Sequence, residues 1–342
     1  MANRDIVAIG TSAGGVEALT FLAKNLPTGF PASVLVTLHL PPYAGSVLDD
    51  VLSRAGPLHA AFASRGDVLR KGRIYLAPPG CHLIVEGERL TLGAGPRENN
   101  SRPAIDPMFR SAAMCCGSRT VGVVLTGALD DGASGLWAVK QAGGITVVQD
   151  PHEAAFPEMP RAALSFTEPD HIVGLAELPH LLERLVHEPA GEPQPIPDSL
   201  KYEIEVAKGG RSDMRHMDRI GRRSVLTCPD CDGVMWEIDE DKLMRFRCHQ
   251  GHAYSSDVMG VAIEESVRRA LGSGLRALEE RIALIKKLRK QAEQRDSRLT
   301  AANWADKVRE LEAEANTIRN SLRRIDAIAE VGEAPEPMTG TG

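Results

Sequence analysis

No run of eighteen or more apolar residues occurs in this 342-residue chain, so no membrane-spanning helix is expected. A surplus of positive charge is missing too. Lys and Arg number 40 against 46 Asp and Glu, a formal net charge of −6, which gives the whole chain no pull toward nucleic acid. A signal peptide has no room, because Met1-Ala2-Asn3-Arg4-Asp5 leads almost at once into an apolar strand. A cytoplasmic location is the expectation. Cysteine supplies no disulfide framework: Cys81, Cys115 and Cys116 are scattered or adjacent. What is present is ordinary for a globular protein, with 43% hydrophobic and 25% charged residues, and the length suffices for two domains with a large first core.

Residues 1–187 alternate strand and helix signals. Short, continuously apolar runs at Ile6–Ile9, Val34–Leu38, Ile74–Leu76, Val121–Leu125 and Ile145–Val148 suit parallel strands covered on both faces. Helical patterns lie between several of them, at Val16–Leu26, Pro107–Cys116 and Ala133–Ala142. The expected fold class is therefore α/β, a doubly wound, mostly parallel sheet with ligands at the carboxyl ends of its strands. Leu83–Leu92, turning at Gly87, reads as a hairpin added at an edge. Residues 188–223, opened by the Pro-rich run Glu188 to Pro197, read as a linker. Its basic residues, Lys201 to Arg223, are taken as a solvated connector rather than an anion site.

Three strand ends carry chemistry. Gly10-Thr11-Ser12-Ala13-Gly14 is a G-x-S-x-G turn between the first strand and helix, which makes Ser12 a candidate nucleophile. Alone it is weak, since Gly-rich turns also bind phosphate or merely allow close packing. A serine needs a base, and the base an orienting acid. The second run ends in His39-Leu40-Pro41-Pro42, whose prolines would hold His39 at the strand tip. The run Val121–Leu125 leads to Asp130-Asp131-Gly132, placing acids at the crevice beside a helix start. Each has a bland reading, as a structural histidine or as a helix-capping aspartate. The order Ser, His, Asp also differs from the Ser, Asp, His of the α/β-hydrolases.

The blocks Ile9 to Gly15, His39 to Pro42 and Leu125 to Ala133 resemble the motifs of the chemotaxis protein-glutamate methylesterase (CheB-type) catalytic domain. Ile74 to Gly80 with His82, Ser101 to Asp106, and Ala142 to Ala162 add supporting blocks, so the resemblance spans about residues 5–187. It implies Ser12 as nucleophile, His39 as general base and Asp131, rather than Asp130, as orienting acid. It implies hydrolysis of glutamyl methyl esters, with deamidation of glutamines, on the cytoplasmic region of methylated chemoreceptors. Amides near Ala13 and Gly14, with Ala128, would hold the oxyanion. No catalytic cofactor is expected. Ala13, Ser101 and Ala128-Leu129-Asp130 stand where the family commonly has Thr, His and Met-Gly-Asn, and Asp130 adds a like charge that raises a carboxylate pKa. Many members carry an N-terminal receiver domain. None is expected here, so regulation would be absent, or come from a separate receiver or regulatory protein or from the C-terminal region.

The remaining segments read as a small module and a helical extension. Cys228 and Cys231 form a C-x-x-C knuckle, and Cys248 with His252 completes a zinc-ribbon-like set over residues 224–256, with His249 as the alternative fourth ligand. A closed structural zinc site is expected there, and acids such as Asp230, Asp232 and Glu237 argue against a phosphate-binding role. Residues 257–330 repeat apolar positions at four-three spacing, from Leu271 to Ile285 and from Trp304 to Ile325, which predicts a helical hairpin or coiled coil able to self-associate. Residues 331–342 read as a disordered tail. Two rival readings are a carboxyl-ester hydrolase with another substrate, and a signalling scaffold whose catalytic domain is vestigial and whose C-terminal parts bind partners.

Overall fold

Seven short parallel strands dominate the computed structural model, which describes residues 2–40, 46–192, 194–210, 214–240 and 243–332. Pro41, Pro42 and residues 333–342, most of the expected tail, lie outside the described residues. The chain divides into two units, Met1–Gly260 and Val261–Gly342.

In the first unit the elements begin β1 (Ile6–Thr11), α1 (Gly15–Asn25), β2 (Ser33–Leu38), α2 (Leu48–Ala55), β3 (His59–Phe62) and β4 (Arg73–Leu76). After a hairpin, β5 (His82–Glu86) and β6 (Arg89–Gly93), come α3 (Ile105–Cys116), β7 (Thr120–Val124), α4 (Ala133–Gln141) and β8 (Ile145–Gln149). Then follow α5 (Glu158–Phe166), β9 (His171–Val173) and α6 (Leu178–His187). The sheet order is β3-β4-β2-β1-β7-β8-β9, and every neighbouring pair is parallel.

Alternation along each strand divides the apolar residues between two layers. Val7, Ile9, Val34 and Val36 pack on one face with Leu19, Leu22, Leu52 and Leu182 from α1, α2 and α6. Ile6, Ala8, Leu35 and Val124 pack on the other with Met108, Phe109 and Leu136 from α3 and α4. Because both faces are covered, the strands read as solid apolar runs. The order reverses at β1, so β2 lies on one side of it and β7 on the other. The crevice at their carboxyl ends is the switch point where such sheets gather ligands.

Two expectations are corrected. The hairpin β5–β6 is not an edge of the main sheet but a separate two-stranded sheet, with Leu83, Val85 and Leu90 buried against α3. The stretch taken as a linker carries α7 (Asp198–Lys208) and α8 (Met214–Ile220). Ile204 and Ala207 of α7 are buried with Ile84, and the backbone of Ala207 approaches Gly93 and Gly95 too closely for a side chain at either. The polar, Gly-flanked composition of α7 hides this, because it buries only one narrow stripe.

An antiparallel four-stranded sheet follows, of β10 (Arg222–Thr227), β11 (Val234–Glu240), β12 (Leu243–Cys248) and β13 (Ala253–Ser255), in that order. Residues 97–99 run alongside β13: the Ala253 N–H donates to Arg97 O at 3.3 Å and the Asn99 N–H to Ala253 O at 2.8 Å. The two long helices α9 (Ser256–Gln294) and α10 (Arg298–Gly332) follow. In the second unit they pack antiparallel through Leu278, Ile282, Ile285, Val308, Leu311 and Ala315, with ion pairs Lys286–Glu312 and Arg319–Glu279 across the seam.

Candidate active site

Ser12 follows β1 directly. Its N–H donates to Thr126 O at 3.0 Å, and its carbonyl accepts the Gly15 N–H at 2.9 Å, which closes the turn into α1. Gly14 takes φ +73°, a left-handed backbone that glycine adopts without strain, and a Cβ there would press on the Thr126 side chain. Gly127 has no room for a side chain, because a Cβ would collide with the Met159 sulfur and meet the Ser12 Cβ at 2.9 Å. The serine is thus held between two backbone approaches that only glycine permits.

His39 lies just past β2 and Asp131 in the loop after β7. The structure brings all three together: His39 Nδ1 is 3.1 Å from Ser12 Oγ, and His39 Nε2 is 2.7 Å from Asp131 Oδ2. Since an ionised carboxylate only accepts, the ring proton belongs on Nε2, which leaves the Nδ1 lone pair for the serine hydroxyl. The histidine side chain is 19% exposed and the aspartate 2%, so substrate can reach one end of the line and not the other.

Asp131 accepts three further hydrogen bonds that fix it. Oδ2 also takes the Ile105 N–H at 2.6 Å, while Oδ1 takes the Asp106 N–H at 3.3 Å and the Asn99 amide at 3.0 Å. Those N–H groups open α3, so the carboxylate caps its positive end. Asp106 returns the arrangement to α4, where Gly132 and Gly135 donate to its Oδ1 at 3.1 and 2.6 Å. Burial pushes the Asp131 carboxyl up, but the His39 hydrogen bond and charge, the Ile105 N–H and Asn99 outweigh it and hold it below the usual range. Asp106 shifts the other way, raised by burial and by the charge of Asp131. Asp130 is also buried, away from His39, and burial with the neighbouring Asp131 charge pushes it up to about 6.

Residues 7–182, about half of the chain, match the family described as CheB methylesterase. The chain belongs to that family. A relative in Leptospira interrogans, named for methylesterase and glutaminase activities, is 34% identical over 184 residues, which cover 54% of this chain and 95% of the relative. The "Protein-glutamate methylesterase/protein-glutamine glutaminase 2" of Anaeromyxobacter dehalogenans is 38% identical over 181 residues, and this chain spans only 53% of its length. The crystal structure of the Thermotoga maritima CheB methylesterase catalytic domain superposes with a TM-score of 0.52 at 31% identity, over 54% of this chain and 100% of that one. The α/β unit is thus a CheB-type fold. Residues beyond it are additional to that domain.

Within the CheB-type unit, the expected oxyanion donors take different positions. Ala13 and Gly14 form the turn at the start of α1, with the Ala13 carbonyl accepting the Thr126 hydroxyl at 3.0 Å. The Gly127 N–H is engaged with Phe156 O at 3.0 Å, and Ala128 follows it, exposed. Leu129, where the family commonly has Gly, keeps a glycine-like φ of +63° and is 41% exposed, as is Phe156 at 43%. His82, which follows the Ile74 to Gly80 block, is buried, donating from Nε2 to Pro96 O at 2.8 Å and accepting the Ala104 N–H. It is a brace behind α3. Asn99 and Asp106 hold the acid, yet only Asp106 lay in a recognised block. Nothing around Asn99 in the sequence marks it.

The Cys/His set also converges. Cys228, Cys231, Cys248 and His252 place one ligand atom each within 4.8 Å of one another. Cys231 Sγ is 3.7 Å from Cys248 Sγ, and His252 Nδ1 is 3.6 and 3.5 Å from Cys228 and Cys248 Sγ. Tetrahedral zinc with bonds of about 2.3 Å to sulfur and 2.0 Å to nitrogen would set its ligands roughly 3.5–3.8 Å apart. The donor set and its spacing fit that ion. His249 lies outside the cluster, its Nε2 3.0 Å from the Gln250 amide. No helix among the described residues is long and apolar enough to cross a membrane.

Proposed function

We propose that this chain hydrolyses glutamyl methyl esters on chemoreceptors, with Ser12 as nucleophile, His39 as general base and Asp131 as the acid that orients it. The observation that carries the reading is the continuous line from Ser12 Oγ through both ring nitrogens of His39 to a buried carboxylate, in a chain of the CheB methylesterase family. Ser12 Oγ attacks the ester carbonyl carbon as His39 Nδ1 takes the hydroxyl proton. The tetrahedral intermediate collapses, His39 returns the proton to the leaving oxygen, and methanol departs. Water then attacks the acyl-enzyme, giving its proton to His39, and glutamate is released as Ser12 regains its hydrogen. In this reading the backbone N–H groups of Ala13 and Gly14, with that of Ala128, are the donors that stabilise the developing oxyanion. The same route on a glutamine releases ammonia, which matches the second activity in the relatives' names.

Leu129 and Phe156, exposed beside Gly127, offer the receptor an apolar rim. Zinc held by Cys228, Cys231, Cys248 and His252 serves structure, since four protein ligands leave no open position for chemistry. Methyl-labelled chemoreceptor incubated with the protein is expected to release methanol, and Ser12→Ala to release none. Intact receptor binding without release by the unsubstituted protein would sink the esterase reading in favour of a scaffold. Purified protein is expected to contain about one zinc per chain, and metal-free protein with a native melt would refute the zinc assignment.

A further inference from the structure

The carboxamide of Asn99 sits between the catalytic line and the four-stranded sheet. Its Nδ2 donates to Asp131 Oδ1 at 3.0 Å and reaches Asp106 Oδ2 at 3.2 Å. Its Oδ1 accepts the Ser255 N–H at 3.1 Å, and its own N–H donates to Ala253 O at 2.8 Å. Both backbone contacts belong to β13. An amide with its oxygen held cannot turn over, so β13 dictates that Asn99 presents nitrogen, and not oxygen, to the aspartate. The residue is 7% exposed and takes φ +48°, a left-handed backbone that asparagine tolerates better than most side chains.

The neighbouring Glu98 belongs to a buried ionic cluster that fastens β12, the strand paired with β13, to α3 and α7. Arg247 donates to Glu98 at 3.1 Å and to Glu203 at 2.6 Å, and Arg245 grips Glu203 with two bonds of 2.8 Å. Arg110 of α3 pairs with Glu98 and lies 3.5 Å from Glu203. Charges this deeply buried are worth little as stability, but they tolerate only one register of sheet against helix. Burial pushes the Glu203 carboxyl up, yet Arg245, Arg110 and Arg247 outweigh it and keep it well below the usual range. The cluster stays ionised, and with it the placement of β13.

We propose that Asn99 is a positioning residue of the esterase and that the β10–β13 sheet, by holding Asn99, is a working part of the active site. It rests on the reading of Ser12, His39 and Asp131 given above. The carboxamide keeps Asp131 turned so that Oδ2 meets His39 Nε2; without it the carboxylate can rotate and the imidazole loses its orientation. The residues that receive the substrate are untouched, so the loss falls on turnover.

Two substitutions separate this from a merely structural role. Asn99→Gly relieves the backbone and removes the donor; Asn99→Asp keeps the shape and the acceptor for Ser255 but presents an anion to Asp131. Second-layer hydrogen bonds of this kind are worth roughly tenfold or more. On methyl-labelled receptor, kcat is expected to fall at least about tenfold in Asn99→Gly and further in Asn99→Asp, with KM within about twofold. The low-field NMR signal of the His39 proton shared with Asp131 should weaken in both. Labelling of Ser12 by a fluorophosphonate, which needs no receptor, should slow in step, while Asn100→Gly behaves as wild type. Glu203→Gln, which loosens the sheet and touches no triad residue, should slow labelling as well. Wild-type turnover and labelling in folded Asn99 variants would overturn the role of Asn99, and unchanged labelling in folded Glu203→Gln would overturn that of the sheet. If the unsubstituted protein labels no better than Ser12→Ala, it is the triad reading itself that fails.

Discussion

Two adjacent aspartates, chemically identical, are driven in opposite directions by what each faces. Asp131 meets His39, two helix N–H groups and Asn99; Asp130 is buried against the charges of Asp131 and Asp257, which the Ser255 side chain offsets only in part. For Asp131, the lowered folded pKa contributes stability above about 4 that is lost as pH falls through the folded value. For Asp130, raised to about 6, the native state holds the proton more tightly than the unfolded chain, so stability drops as pH climbs from about 4 to 6. Asp130→Asn is therefore expected to stabilise the protein near pH 7.5 by on the order of 2 kcal/mol, with the gain vanishing near pH 4. Melting curves at the two pH values check this, and an equal shift at both would contradict it. Gly127→Ala is expected to lower esterase turnover more than tenfold through the forced movement of Met159 and Ser12. Wild-type turnover in this variant would show that the loop yields without disturbing the serine.

Among the elements, α3 joins most of the site's parts. Its N–H groups hold Asp131, its first turn supplies Asp106 to α4, and its Arg110 meets the ionic cluster. Nearly every residue of α3 is buried, including Met108, Phe109, Ala112 and Ala113. Only the apolar stretch of that helix was legible as a pattern. The helices α7 and α8 were not, because a linker-like composition and a one-sided helix are hard to tell apart before the surface that covers α7 is known. The long pair α9 and α10 shows the reverse case: its seam follows from period alone. Leu311, 2% exposed in that seam, is expected to cost about 2–4 kcal/mol of helical-pair stability when replaced by Ala. Denaturant unfolding followed by helical circular dichroism measures it, and a loss below about 0.5 kcal/mol would mean that the seam is not a packed core.

At the scale of the molecule, local pattern determined the parallel α/β unit, the Ser12, His39 and Asp131 candidates and the Cys228–His252 cluster. Apolar runs, glycines beside strand ends and paired ligands are written at short range, where chain geometry leaves few alternatives. The choice of Asp131 over Asp130 came from resemblance; which carboxylate faces His39 is visible only in the folded chain. What lay beyond the sequence was the set of buried long-range contacts that no motif marks. Asn99 reaches Asp131 and Ser255, Arg245 and Arg247 reach Glu203, and α7 lies under the hairpin. Buried polar groups find partners by position in space rather than by spacing along the chain, and no periodicity records them. Sequence determined which groups can do chemistry; tertiary packing decided which of them hold the others still.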